Sequence, residues 1–208
     1  MVEASTPWLV VGLGNPGPEY AKNRHNVGFM VVERWVDRHA PAGAGPIAWK
    51  NQWKGRTCSF QAEFARQRVR CVVLEPQTYM NRSGESVRAA FDFLRVGVDR
   101  LIVVHDELDF EFGRLGIKRG GGHGGHNGLR DLIKQLGSPE FVRVRVGIGR
   151  PVHGDVSHWV LSDFAGDDAS GVPELVDRSE QALTCLLAEG LAPAMNQFNR
   201  SPTTGAPN

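Results

Sequence analysis

The first apolar run of the chain, Trp8 to Gly12 (WLVVG), is short and unbroken, the pattern of a buried strand. From Val27 to Arg38 the period changes. Phe29, Val31, Val32, Trp35 and Val36 recur at helical spacing and offer one apolar stripe, which PAGAGP then ends. Residues 56–66 (RTCSFQAEFAR) alternate with period two, and 68–76 (RVRCVVLEP) are rich in β-branched residues, so two strands are predicted. NRSGESVRAAFDFLRV predicts a helix through Val87, Ala90, Phe91 and Leu94, with Ser83 as its cap. RLIVVHDELD is continuously apolar until it ends in charge, as a strand covered on both faces would be. After the glycine-rich GGGHGGHNG, LRDLIKQLG reads as a helix closed by Gly137, and FVRVRVGIG as a strand with both arginines on one side. Residues 173–190 carry the last long helical stripe, through Leu175, Val176, Leu183, Leu186 and Leu187. Strands alternate with helices throughout, so the predicted class is α/β: a single domain over 1–198, its mixed sheet flanked by helices. The polar end NRSPTTGAPN, residues 199–208, is expected to be a flexible tail.

Composition narrows the function classes. A chain of 208 residues can bury a full core without staples. The formal net charge is +1, so any nucleic-acid site must be a local patch rather than a general basic coat. Cys58, Cys71 and Cys185 are odd in number and lack metal spacing, which fits reduced thiols in a cytoplasmic protein. No apolar run is long enough to span a membrane, and the first ten residues lack the pattern of a secretory leader.

Gly12-Leu13-Gly14-Asn15-Pro16-Gly17 spells the dinucleotide fingerprint G-x-G-x-x-G. That fingerprint requires a helix opening at the third glycine, and here the helical stripe starts about ten residues late. Asp37, at the distance of a ribose ligand, falls inside a helix instead of ending a second strand. A tight loop at the carboxyl end of a strand remains a place where α/β sheets put their sites, and this one carries Asn15, Tyr20, His25 and Asn26. His105, Asp106, Glu107 and Asp109 end another strand, where a carboxylate can orient an imidazole or simply be solvated. Tyr79 and Asn81 precede a helix, as ligand-binding groups or as turn residues. His123 and His126 admit a zinc site, but neither H-E-x-x-H nor a cysteine pair accompanies them. Asn127 is placed to cap the following helix. Arg114, Lys118, Arg119, Arg130, Lys134, Arg143, Arg145 and Arg150 gather around the glycine loop, as a solvated face or a phosphate grip. There is no G-x-S-x-G nucleophile elbow.

GLGNPGPEYAKNRHNVGF, YMNRSG, HDELD, KRGGGHGGHNGL and RVRVGIGRP occur in this order over about residues 8–190. Together they closely resemble the bacterial peptidyl-tRNA hydrolase family. The resemblance implies a monomeric, cytoplasmic esterase with a mixed, twisted sheet, needing no metal or cofactor. It would cleave the ester between a peptide and the 3′ ribose of tRNA. It implies His25 as the catalytic base, Asp106 as its support, and Asn15 as the group that discriminates blocked from free aminoacyl-tRNA. Asn81 and Asn127 would bind the substrate, Tyr20 and Tyr79 would line the 3′-end site, and Lys118 and Arg145 would grip the terminal phosphate of the tRNA. Gly116 departs from the pattern, because some relatives carry a further basic residue there.

Overall fold

The computed structural model describes residues 6–40, 48–64 and 67–200. In chain order its elements are β1 (Trp8–Gly12), α1 (Val27–His39), β2 (Lys50–Gln52), β3 (Gly55–Phe64), β4 (Gln67–Pro76), α2 (Ser83–Leu94), β5 (Leu101–Glu107), β6 (Leu115–Arg119), α3 (Asn127–Leu136), β7 (Val142–Gly147), α4 (Val156–Val160), α5 (Asp167–Glu189) and α6 (Leu191–Phe198). The strands form one seven-stranded sheet in the order β2-β3-β4-β1-β5-β7-β6. Its centre, β4-β1-β5-β7, is parallel, and β2, β3 and β6 run antiparallel to their neighbours.

The central strands are apolar on both faces because both faces are covered. Val10, Val73, Ile102, Val104 and Val144 point into a core shared with α1 and α5, around Trp35 and Leu183. Leu9, Val11, Val72, Leu74 and Val103 point the other way, against Val87 and Ala90 of α2 and Leu129 and Leu132 of α3. Each such buried Val, Leu or Ile contributes about 1.5–3 kcal/mol relative to exposure. Buried Glu180 of α5 ties the first layer together, binding Arg38 at 2.6 Å, His39 at 2.7 Å and Thr184 at 2.9 Å.

Several boundaries differ from the pattern, each for a local reason. Ser83 starts α2 without capping it; its hydroxyl donates back to the Met80 carbonyl at 2.9 Å. Helix α5 begins at Asp167, upstream of Pro173, although proline favours a first turn. The short strands β2 and β6 and the five-residue α4 had too few periodic positions to register. Asn199, assigned to the tail, is instead bonded to both backbone groups of Ile117 on the edge strand β6, at 2.6 and 2.9 Å. The remainder of that expected tail, 201–208, lies outside the described residues.

Candidate active site

The carboxyl ends of β1, β4 and β5 meet on one edge of the sheet, and the loops that leave them build the site. The loop after β1 makes two 3-10 turns, Pro18–Tyr20 and Arg24–Asn26, before α1 opens. Only a three-residue 3-10 turn starts at Gly17 and the first α-helix opens at Val27, which removes the dinucleotide reading. Gly12 and Gly28 let α1 press onto the strand end: a Cβ at Gly12 would lie 2.5 Å from the Gly28 carbonyl oxygen. The residues before His25 pin its turn. Asn23 donates to the Leu161 carbonyl at 2.6 Å, and buried Arg24 donates to Ser162 and Asp163 while lying 3.7 Å above the Trp159 ring.

His25 is thereby held against Asp106 of β5, its Nδ1 donating to Asp106 Oδ1 at 2.8 Å and its Nε2 left as the basic atom. The same oxygen receives His126 Nε2 at 3.0 Å. The tautomer of His126 is set by its other nitrogen, because Nδ1 accepts the Gly128 and Leu129 amides at 3.1 and 3.3 Å and so carries no proton. His126, not Asn127, is therefore the cap of α3. Burial works to lower the His25 pKa, but the charge and hydrogen bond of Asp106 outweigh it and raise it above the ordinary histidine value. Burial likewise opposes the Asp106 charge, yet His25 and His126 hold its carboxyl well below the usual range. His105 is fully buried and stays neutral, its pKa pulled well down by burial and then by His126.

Asn15 joins the site through a fixed amide. Its backbone is paired with the Asn26 side chain through two bonds of 2.9 Å. Its Oδ1 accepts the Met80 amide at 2.8 Å, which leaves Nδ2 as the available donor. Met80 in turn packs on α3, since a Cβ at Gly128 would lie 2.6 Å from the Met80 sulfur. This chain of contacts brings Asn81, next to Met80, and Asn127, next to Gly128, to the same edge, both exposed. Asn127 Oδ1 accepts from Arg130 at 2.8 Å. Tyr20 and Tyr79 stand edge to face with ring centroids 6.5 Å apart, and Tyr79 is 58% exposed. His25, Asp106, His126 and Asn127 line a cavity of about 150 Å³, with Val156 and Val160 of α4 on its far wall.

The cations divide into two kinds. Arg143 is fully buried and consumed by the glycine loop, donating to the carbonyls of Gly121, Gly122 and Pro139. It is a clamp and not a phosphate ligand. Lys118 and Arg145 remain partly exposed, and burial, then the charges of Arg145 and Arg143, lower the Lys118 pKa. Arg145 lies 4.4 Å from the Phe110 ring centre, with Glu107 3.7 Å away. Gly116 is explained by the same ring: a Cβ there would meet Phe110 at 2.5 Å and Arg145 at 2.9 Å.

A family model described as peptidyl-tRNA hydrolase matches residues 9–205. The peptidyl-tRNA hydrolase of Geobacter sulfurreducens is 48% identical over 191 residues, which are 92% of this chain and 94% of that one. That of Geotalea uraniireducens is also 48% identical, over 92% of this chain and 95% of its own. The crystal structure of peptidyl-tRNA hydrolase from Acinetobacter baumannii aligns with a TM-score of 0.79 at 39% identity, covering 96% of this chain and 97% of that one. The chain belongs to the peptidyl-tRNA hydrolase family. Within this member of the peptidyl-tRNA hydrolase family, all five residues singled out for the chemistry, Asn15, His25, Asp106, Asn81 and Asn127, border one edge of the sheet. Lys118 and Arg145 lie along the neighbouring strands β6 and β7. What the sequence did not signal is His126 as the second partner of Asp106, Asn26 as the brace of Asn15, and Arg143 as a clamp. His25, Asp106 and His126 offer three clustered ligand atoms for a metal. The fit is poor, because His126 Nε2 carries the proton that its capping Nδ1 cannot, so it has no lone pair to give. His123, the other candidate, spends its Nδ1 on the Gly125 amide at 3.1 Å.

Proposed function

We propose that the chain hydrolyses the ester between an N-blocked peptide and the 3′ ribose of tRNA, releasing both. The observation that carries this reading is His25, bonded through Nδ1 to an ionised Asp106 at 2.8 Å, with Nε2 free as a base at the edge of a small cavity. Water gives a proton to His25 Nε2 and its oxygen attacks the ester carbonyl. The tetrahedral intermediate collapses by breaking the bond to the ribose oxygen, which takes the proton back from His25. Asp106 stays ionised throughout and stabilises the imidazolium. The Asn15 Nδ2 donor, with the amides of Asn81 and Asn127, serves the carbonyl and peptide groups. A covalent route through sulfur is disfavoured: burial pushes the Cys58 and Cys71 thiols up to about 12 and raises Cys185 as well.

An acylated α-nitrogen is neutral and matches asparagine amides, whereas a free α-ammonium on those amides would give up its hydration for neutral partners. Asn15 is the residue we assign to that choice. Tyr20 and Tyr79 line the approach of the 3′ end, and Lys118 and Arg145 hold the terminal phosphate. We take the protein to work as a monomer, in the cytoplasm, on tRNA released from translation. The test is hydrolysis of N-acetyl-aminoacyl-tRNA against the same unblocked aminoacyl-tRNA, with chelator present. Wild type should cleave only the blocked substrate, and His25→Ala should lose about 10²–10⁴ in rate. Binding of tRNA without cleavage by wild type would refute the assignment.

A further inference from the structure

A second cavity, of about 260 Å³, opens between the Pro16–Gly17–Pro18 turn, α1 and the β3–β4 hairpin. Pro18, Phe29 and Met30 give it an apolar wall, and Glu33, Arg56 and Glu75 bring three charges. The ester chemistry uses none of these six. Arg56 Nε is 2.8 Å from Glu75 Oε2, its Nη2 bonds Glu33, and its guanidinium lies 4.3 Å from the Trp49 ring centre. One guanidinium therefore serves two carboxylates. Glu75 is only 1% exposed, and its Oε1 has no hydrogen-bond partner among the described residues. A buried carboxyl oxygen without a partner is costly, and once Glu75 is ionised the group of Glu33, Arg56 and Glu75 is one donor and one positive charge short.

We infer that this cavity is a binding site for a primary alkylammonium group, its head on Glu75 and its aliphatic stem along Pro18, Phe29 and Met30. Two carboxylates exclude an anion, and the volume suits a lysine-sized chain and not a nucleotide. Asn15 and Asn26 border the same cavity, so it adjoins the site proposed to read the peptide. Two sources supply this chemistry: a lysine in the peptide part of the substrate, which rests on the hydrolase reading, or a free small amine, which does not.

The site is proton-linked. Burial first, and the Glu33 charge second, push the Glu75 carboxyl up to about 8 against the pull of Arg56. The groups facing it are Glu33 from α1 and Arg56 and Cys58 from β3, and the Cys58 thiol stays neutral. A cation stabilises the ionised carboxylate, so binding expels a proton and strengthens as pH rises toward 8.

Calorimetry with n-butylammonium tests the site directly. Wild type should bind about tenfold or more tightly at pH 8.5 than at pH 6.5, and Glu75→Gln should lose about tenfold or more at pH 8.5. Glu33→Gln changes an outer, half-exposed carboxylate, so it keeps the test open if Glu75→Gln misfolds. Removing that neighbouring charge should move the midpoint of the pH dependence down. No binding by wild type at pH 8.5, a pH-independent affinity, or equal binding by folded Glu75→Gln would each overturn the site. Hydrolysis of two N-acetyl-dipeptidyl-tRNAs, differing only in lysine or norleucine, identifies the source. A lysine preference lost in Glu75→Gln assigns the peptide; n-butylammonium binding without such a preference assigns a free amine. The norleucine substrate reports the ester chemistry separately, so its hydrolysis fails only if the hydrolase reading does.

Discussion

One oxygen atom, Asp106 Oδ1, receives both His25 and His126, at 2.8 and 3.0 Å. An asparagine there would still offer an oxygen to both donors, so Asp106→Asn should fold with the geometry kept and the charge gone. Since that charge and hydrogen bond are what raise the His25 pKa against burial, the variant's pKa should fall. The sign is therefore set. In wild type the base is neutral only above its raised pKa, so kcat/KM should rise with pH to a midpoint above the ordinary histidine value of about 6.5. In Asp106→Asn the rate should drop by about 10²–10⁴ and the acidic limb should move to lower pH. A pH–rate profile with an unmoved acidic limb would refute the orienting role. His25, Asp106 and the three asparagines stood out as candidates because each sits in a long motif, and the structure places all five at one edge of the sheet. Gly116 was legible only as a departure, because the Phe110 ring that would meet a side chain there folds back from the β5–β6 connection, a contact that spacing does not show.

Helix α3 binds the site to the fold through its first turn. His126 Nδ1 satisfies the Gly128 and Leu129 amides while its Nε2 holds Asp106, so one side chain serves a helix end and the carboxylate that holds His25. His126→Ala removes a cap, worth about 1 kcal/mol, and strips Asp106 of a donor. Urea unfolding should show a loss of about 1–3 kcal/mol. Stability equal to wild type would mean that the cap contributes nothing. From sequence, Asn127 could be either a cap or a substrate ligand; the cap is His126 instead, because its Nδ1 is what reaches the Gly128 and Leu129 amides. Arg143 hid its role similarly: alternation with Val142 and Val144 put it on one face, but the carbonyls that consume it belong to a loop about twenty residues away. Strand β6 was missed because Gly116 interrupts its five residues and its pairing is entirely with β7.

Across the whole molecule, the apolar runs announced the central strands, since strands buried on both faces have no polar alternative. Their order, with β1 between β4 and β5, was not legible, because it is decided by pairings distant in sequence. The same distance hid how the cations divide. With a net charge of +1 there is no general attraction for a polyanion, and burial of Arg143 removes one of the two arginines of β7 from the surface. If Lys118 and Arg145 neutralise about two phosphates, raising salt from about 50 to 200 mM should weaken tRNA binding roughly tenfold. The Lys118→Ala, Arg145→Ala double variant should lose most of that salt dependence, while cleavage of a substrate truncated to the 3′-terminal nucleotides stays near wild type. Binding titrations over that salt range decide the matter. A wild-type loss of about 10³ or more would require several further phosphate contacts, and the exposed Arg130 and Lys134 of α3, on the helix that starts at Asn127, would then be the next to test.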